Sequence, residues 1–405
     1  MLENYTKESI DYLKNTDIEK RKRLGQYFTP KNIRDLLLSK LVSISENKDN
    51  VTILDPACGS GEFLLSCNEY FNNPSLYGFE IDDSLATIAK ELVSNANIEC
   101  IDTLKIYTNT KYDYVIGNPP YFEFKPDKDL KKKHSDIISG RVNIFSIFIK
   151  IGLELLEDGG YLAYVVPPSM NNGAFFKKLR EYIINNSSIE YLHIVEGSDN
   201  FYMANQKVML LILKKTNNHK QKKYIFSKNG ITIFTEDKSF LNKAYKDTLS
   251  LNEIGYEVKT GSIAWNNYKE NLTDDKNNSI PLIYSSNIVD GKIVIPNKRK
   301  LQYIKNISKD LIIRNRVIAV NRITGSNKNI NIKAAIVNEK EFVCENHVNI
   351  IYPLNNYDKN YSLEYIYNAL NDKNNIKVLS LITGNTQISK TELERLLPIK
   401  IIDKV

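Results

Sequence analysis

The stretch "VTILDPACGSGEFLL" at residues 51–65 runs an apolar β-type segment into a carboxylate, a glycine-spaced turn and a second apolar segment. Gly59 and Gly61 let the backbone turn tightly and approach a ligand with no Cβ in the way, and the helix that follows offers its first amides. Strand, glycine turn and helix in that order open a βαβ unit. Taken alone, such a turn suits a cofactor loop or a plain tight turn. Asp55 at the strand end narrows the choice. A carboxylate there repels phosphate and suits an ammonium or sulfonium group, so a cationic cofactor fits better than a dinucleotide.

Outward from this stretch the pattern repeats. "SLYGFEID" (75–82), "IECIDTL" (98–104), "YDYVIGNPPY" (112–121) and "GGYLAYVVPPS" (159–169) are further short apolar runs. Between several of them lie helical patterns, "DDSLATIAKELVSNA" (82–96) and "NIFSIFIKIGLELLEDGG" (143–160), the second closed by a glycine pair read as its C-terminus. This alternation predicts an α/β fold, a Rossmann-like, doubly wound parallel sheet. After about residue 214 the texture changes to "KKTNNHKQKKYIF", then to a region rich in Asn, Lys, Ile and Tyr without clear alternation. A boundary near residue 245 separates a catalytic domain, 1–245, from a C-terminal mixed α+β domain, 246–405.

Composition bounds the function. With 405 residues, 42% hydrophobic and 25% charged, the chain can bury the cores of two soluble domains. No run approaches the ~20 apolar residues of a membrane helix and no apolar leader is present, which reads as cytoplasmic. Cys58, Cys67, Cys100 and Cys344 form no CxxC and the four histidines are scattered, so neither a metal site nor a disulfide framework is signalled. The net charge of +7 divides as +1 before residue 246 and +6 after it. A basic C-terminal module suits a polyanion partner, and equally a solvated basic face.

In an open parallel sheet, ligands bind at the carboxyl ends of the strands. Glu80 ends the second run roughly 20 residues beyond the glycines, where an acid can accept from both ribose hydroxyls. Asp102 ends the third, placed to accept from an adenine amine. Each acid alone also serves as a helix cap or a solvated charge. Three at successive strand ends describe a site for an adenosine with a positive amino-acid tail, S-adenosylmethionine. Asn118 follows at the end of the fourth run. Its side-chain oxygen and the Pro119 carbonyl are acceptors for the two N–H bonds of a planar amine, Pro119 and Pro120 stiffen the corner, and Tyr121 supplies a ring for stacking.

"NPPY" (118–121), "LDPACGSGEFL" (54–64) and "RLGQYFTP" (23–30) together resemble the signatures of N6-adenine DNA methyltransferases, and their order resembles the gamma class of restriction-modification systems. The resemblance spans roughly residues 20–215. It implies site-specific methylation of an adenine flipped out of double-stranded DNA, by a monomer whose cognate restriction endonuclease is encoded separately. It also implies catalysis by Asn118, Pro119, Pro120 and Tyr121, with Phe201 stacking opposite Tyr121. The implied cofactor shell is Thr29, Asp55, Ala57, Gly59, Gly61, Glu80, Ile81, Asp102, Thr103, Asn118 and Phe148, with Phe145 close enough in sequence to compete for the last place. "ENHVNIIYPL" (345–354) and "LITGNTQISKTELERLLPIKI" (381–401) look like pieces of target-recognition domains, making Lys298, Arg299, Arg314, Arg316 and Arg322 DNA-contact candidates. Rival substrates are a protein glutamine, methylated at N5, and an adenine of RNA. A DNA-binding module that has lost its chemistry is the reading from another class.

Overall fold

The computed structural model describes residues 2–171, 173–195, 207–218, 222–295, 301–322, 331–383 and 387–402. The chain divides into two compact units, one of Met1–Phe226 with Thr232–Glu236, the other of Ser227–Ile231 with Asp237–Val405.

In the first unit α1 (Lys7–Asn15), α2 (Ile18–Leu24) and α3 (Lys31–Ile44) precede β1 (Thr52–Asp55). Then come α4 (Glu62–Tyr70), β2 (Ser75–Glu80), α5 (Asp83–Leu92), β3 (Ala96–Cys100), β4 (Tyr112–Gly117), β5 (Glu123–Phe124), α6 (Lys128–Lys133) and β6 (Val142–Asn143). The unit continues with α7 (Ile144–Leu155), β7 (Leu156–Val166), α8 (Lys177–Asn186), β8 (Ser187–Val195) and β9 (Val208–Lys215). Seven strands form one sheet in the order β3-β2-β1-β4-β7-β9-β8. The pairs from β3 to β7 are parallel, as the alternation predicts, and β9 runs antiparallel to both of its neighbours.

Alternate side chains of the central strands enter two separate cores, which is why these runs are apolar on both faces. Ile53, Tyr114, Ile116 and Ala163 pack with Leu37, Leu38 and Leu41 of α3 and Leu64 of α4. Leu54, Val115, Leu162 and Tyr164 pack on the other face with Ile147 and Ile151 of α7 and Leu179 and Ile183 of α8. Each fully buried leucine contributes about 2 kcal/mol of transfer free energy.

One helix ends earlier than its sequence predicts. α7 stops at Leu155, and the pair Gly159–Gly160 lies inside β7. Tyr112 pairs with Leu156 but Tyr114 pairs with Tyr161, so the extra residues bulge out of the ladder there. Gly159 has φ +84°, and a Cβ on Gly160 would lie 2.8 Å from the Asp113 carbonyl oxygen. The glycines serve this bulge rather than a helix cap.

The second unit holds a four-stranded antiparallel sheet ordered Tyr256–Thr260, Val348–Pro353, Val317–Asn321, Ala334–Val337, and a smaller four-stranded sheet that includes Ile280–Ile283 and Val343–Cys344. Helices Leu363–Asn371, Lys373–Ile382 and Lys390–Leu396 close the chain, giving a mixed α+β unit. Ser389 and Glu392 start the last helix with a reciprocal capping box. Among the described residues no helix is long and apolar enough to cross a membrane.

Candidate active site

The carboxyl ends of β1 to β4 open into a cavity of about 280 Å³. Thr29, Asp55, Ala57, Gly59, Glu80, Ile81, Asp102, Thr103, Asn118, Pro120 and Phe148 all line it. Phe148, not Phe145, reaches the cavity; Phe145 is fully buried beside Phe176 and edge-on to Tyr121. Gly61 caps α4 with φ +84° and lies outside the lining, as do Pro119 and Tyr121. Phe201, Lys298 and Arg299 lie outside the described residues.

The two inner acids are buried. Asp55 is 2% exposed and accepts from the Ala57 amide (3.0 Å). Burial pushes its carboxyl up to about 8 against that hydrogen bond, with the Glu80 charge adding to the rise. Gly117 makes room for it, since a Cβ there would stand 2.5 Å from Asp55 Oδ1. Glu80 accepts from the amides of Gly59 (Oε2, 2.8 Å) and Asp82 (Oε1, 2.8 Å), and burial raises its carboxyl above the usual range. Asp102 differs. It is partly open to solvent, accepts from the Leu104 amide (3.1 Å) and pairs with Lys105 (3.1 Å).

At the fourth strand end, Asn118 donates from Nδ2 to the Tyr27 carbonyl (2.9 Å) and receives the Tyr121 hydroxyl on Oδ1, which together fix the orientation of its amide. The Tyr121 hydroxyl also reaches the Val165 carbonyl (2.6 Å), and burial holds its proton on. The "GQYFTP" segment is seated on this corner by Gly25, where φ is +64° and a Cβ would lie 2.9 Å from Pro120 Cβ.

Several residues that complete the site were not read from the sequence. Arg34 and Glu62 form a buried ion pair, and Arg34 also binds the Thr29 carbonyl and Ser66 Oγ (3.0 Å). Glu62 Oε1 accepts from the amide (2.8 Å) and hydroxyl (3.0 Å) of Thr6, the N-cap of α1. Asp82 caps α5 and gathers Lys20 (2.9 Å), Tyr12 and Gln26. One signal was available: Arg34 lies on the same helical stripe as Leu37, Leu38 and Leu41, and a charge on an apolar face needs a buried partner.

In the second unit Arg314 pairs with Glu341 (2.9 Å) and Arg316 with Glu364 (2.6 Å), all four about half exposed. Arg322 is half-buried, donates to the Asn346 carbonyl (3.3 Å), and keeps a buried Nε with no hydrogen-bond partner among the described residues.

The residues at the cavity fit S-adenosylmethionine. Thr29 Oγ1 is buried there with no hydrogen-bond partner among the described residues, and a cationic ligand would offset the burial that raises the carboxyls of Asp55 and Glu80. A largely parallel sheet carrying acids at three successive strand ends is an arrangement that suits a nucleoside ligand. The comparisons make this specific. A model described as N-6 DNA Methylase matches residues 11–272, and the chain belongs to that family. It is a DNA adenine methyltransferase, and S-adenosylmethionine is its cofactor. The modification methylase CviBIII of Paramecium bursaria Chlorella virus NC1A is 29% identical over 304 residues, covering 74% of this chain and 75% of that protein. The type II methyltransferase M.BsuBI of Bacillus subtilis is 23% identical over 444 residues, 94% of this chain and 88% of that one. Among solved structures, the methyltransferase subunit of a type I restriction-modification system from Streptococcus thermophilus superposes with a TM-score of 0.42 at 19% identity, over 54% of this chain and 53% of that chain.

Proposed function

We propose that the chain is a site-specific DNA adenine N6-methyltransferase of a restriction-modification system, which turns its target adenine out of duplex DNA and methylates it. The observation that carries this reading is the junction of the acid-lined cavity with Asn118 and Pro120 at one sheet edge. The relatives' names, a modification methylase and type II methyltransferases, support the restriction-modification setting, in which a separately encoded endonuclease is the expected partner. Residues 1–245 act as the catalytic domain and 246–405 as the target-recognition domain of a cytoplasmic monomer.

When bound, the cofactor supplies an electrophilic methyl on sulfur. Asp55 would favour its positive charges, Glu80 would accept from its ribose hydroxyls, and Phe148 would pack against its base. The exocyclic amine of adenine is a poor nucleophile because its lone pair is delocalised into the ring. Asn118 Oδ1 has a second lone pair beyond the one used by Tyr121, and with the Pro119 carbonyl it accepts the two N–H bonds. The Tyr121 hydroxyl can turn wholly to Val165 as this happens, so no buried donor is orphaned. Acceleration comes from orientation, not from a strong base.

The test is to incubate the protein with unmethylated genomic DNA and S-adenosylmethionine and to map N6-methyladenine, with Asn118→Ala alongside. A mark at one short recurring motif, absent in the variant, is expected. Absence of any mark on DNA overturns the reading.

A further inference from the structure

Among the described residues, Arg34 is the one basic side chain lining the cavity, where Asp55, Glu62, Glu80 and Asp102 supply the acids. It is 3% exposed. A guanidinium carries five N–H donors. Nη1 is committed to the Thr29 carbonyl and to Glu62, and Nε to Ser66. The two Nη2 donors have no partner among the described residues. Thr29, whose carbonyl Arg34 holds, contributes the buried and unpartnered Oγ1 described above. A guanidinium edge and a hydroxyl without hydrogen-bond partners among the described residues therefore line a cavity whose other charged side chains are all carboxylates. Glu62 fixes the guanidinium and is itself fixed by the amide and hydroxyl of Thr6.

We propose that Arg34 is the carboxylate-reading residue of the cofactor site: Nη2, with the Thr29 hydroxyl beside it, binds the α-carboxylate of the methionine portion. The inference rests on the cofactor and reaction given above and adds the element that recognises the ligand's only negative group. Its chemistry is charge matching. The ligand has two positive centres and one negative, and the cavity has carboxylates for the former and one guanidinium for the latter. Arg34 thereby becomes a specificity residue, separating amino-acid-tailed nucleosides from those bearing a bare amine.

The measurement is the ratio of dissociation constants for S-adenosylmethionine and decarboxylated S-adenosylmethionine, which differ by that carboxylate alone. Both are titrated by calorimetry into the full chain, without DNA. The intact protein is expected to prefer the carboxylated form by about tenfold or more, as a charge-assisted hydrogen bond provides. Arg34→Lys should erode this preference. Because removing one member of a buried ion pair strands the other, the paired replacement Arg34→Met with Glu62→Met tests the same point with no orphaned charge, and should bring the ratio near one. Adenosine affinity should stay within about twofold in every variant, which a collapsed pocket would not allow. Equal binding of the two ligands by the intact protein overturns the proposal, as does a ratio unchanged by the paired replacement. Failure of the intact protein to bind either ligand would instead overturn the methyltransferase reading on which it stands.

Discussion

The charges of the two units are arranged in opposite ways. In the first, Asp55 and Glu80 are buried at strand ends with no cation bonded to them among the described residues, and burial pushes Asp55 up to about 8. In the second, Arg314 and Arg316 stand in solvent, each already paired with a glutamate. Buried, unmatched charge is costly and persists where a ligand of opposite sign relieves it. Exposed pairs are worth little and exchange readily, so a phosphate can replace Glu341 or Glu364 at small cost. The cavity holds its charges for a bound ligand, whereas the exposed pairs of the second unit are ones that a polyanion, on the reading proposed above, would exchange.

Substitutions can break this contrast. The largest effect belongs to the corner: Asn118→Ala should lower single-turnover methyl transfer by about a thousandfold or more, while cofactor affinity measured by calorimetry stays within about threefold. Asp55→Asn should weaken cofactor binding by about ten- to a hundredfold. The same residue couples binding to pH. Between its ordinary value of 3.8 and about 8 the folded protein holds a proton that the unfolded chain lacks, so ligand-free stability falls as pH rises through that window. Cofactor binding at pH 7 should release close to one proton, seen as a binding enthalpy that depends on buffer ionisation, and Asp55→Asn should abolish the release. Gly25→Ala, strained at φ +64° and crowded against Pro120, should cost about 1–3 kcal/mol in denaturant unfolding. Arg314→Gln or Arg316→Gln should each lower the salt dependence of DNA binding by about one counterion while leaving cofactor affinity unchanged. The last helix carries a second pH effect. Burial pushes Glu392 up to about 7, with the same sign of pH dependence as Asp55, so Glu392→Gln should lessen the fall in melting temperature between pH 5 and 8 by roughly 5 °C.

The parts legible in the sequence are those set by short-range pattern. Alternating apolar runs announced β1 to β4 and β7, and the strand-ending residues Asp55, Glu80, Asp102 and Asn118 followed from where each run stopped. Gly159 and Gly160 were misread because a glycine pair after a helical pattern suits a cap and a bulge alike, and only the pairing with β4 decides between them. Thr6 and Tyr12 were not legible, and for Arg34 the apolar stripe of its helix showed that a buried partner was needed but not which one. Their partners, Glu62 and Asp82, lie 28 to 70 residues away, and local periodicity carries no record of such contacts. In the second unit the strands are short and most are joined to partners far along the chain, so composition alone spoke there.

The seat of the "GQYFTP" segment on the catalytic corner has a consequence for how the molecule is made. Tyr27 and Asn118 meet across 91 residues, and Gly25 lies so close to Pro120 that a Cβ on it would stand 2.9 Å from Pro120 Cβ. On the ribosome the "GQYFTP" segment is made well before the corner it seats on, which is the last part of the β1–β4 half to be synthesised. A nascent chain ending near residue 105 carries all three acids and the glycine turn with the corner still to come. Loop closure over so long a span is slow beside the local pairing of β1 with β2, so the cofactor site is expected to be completed late, after the sheet that supports it.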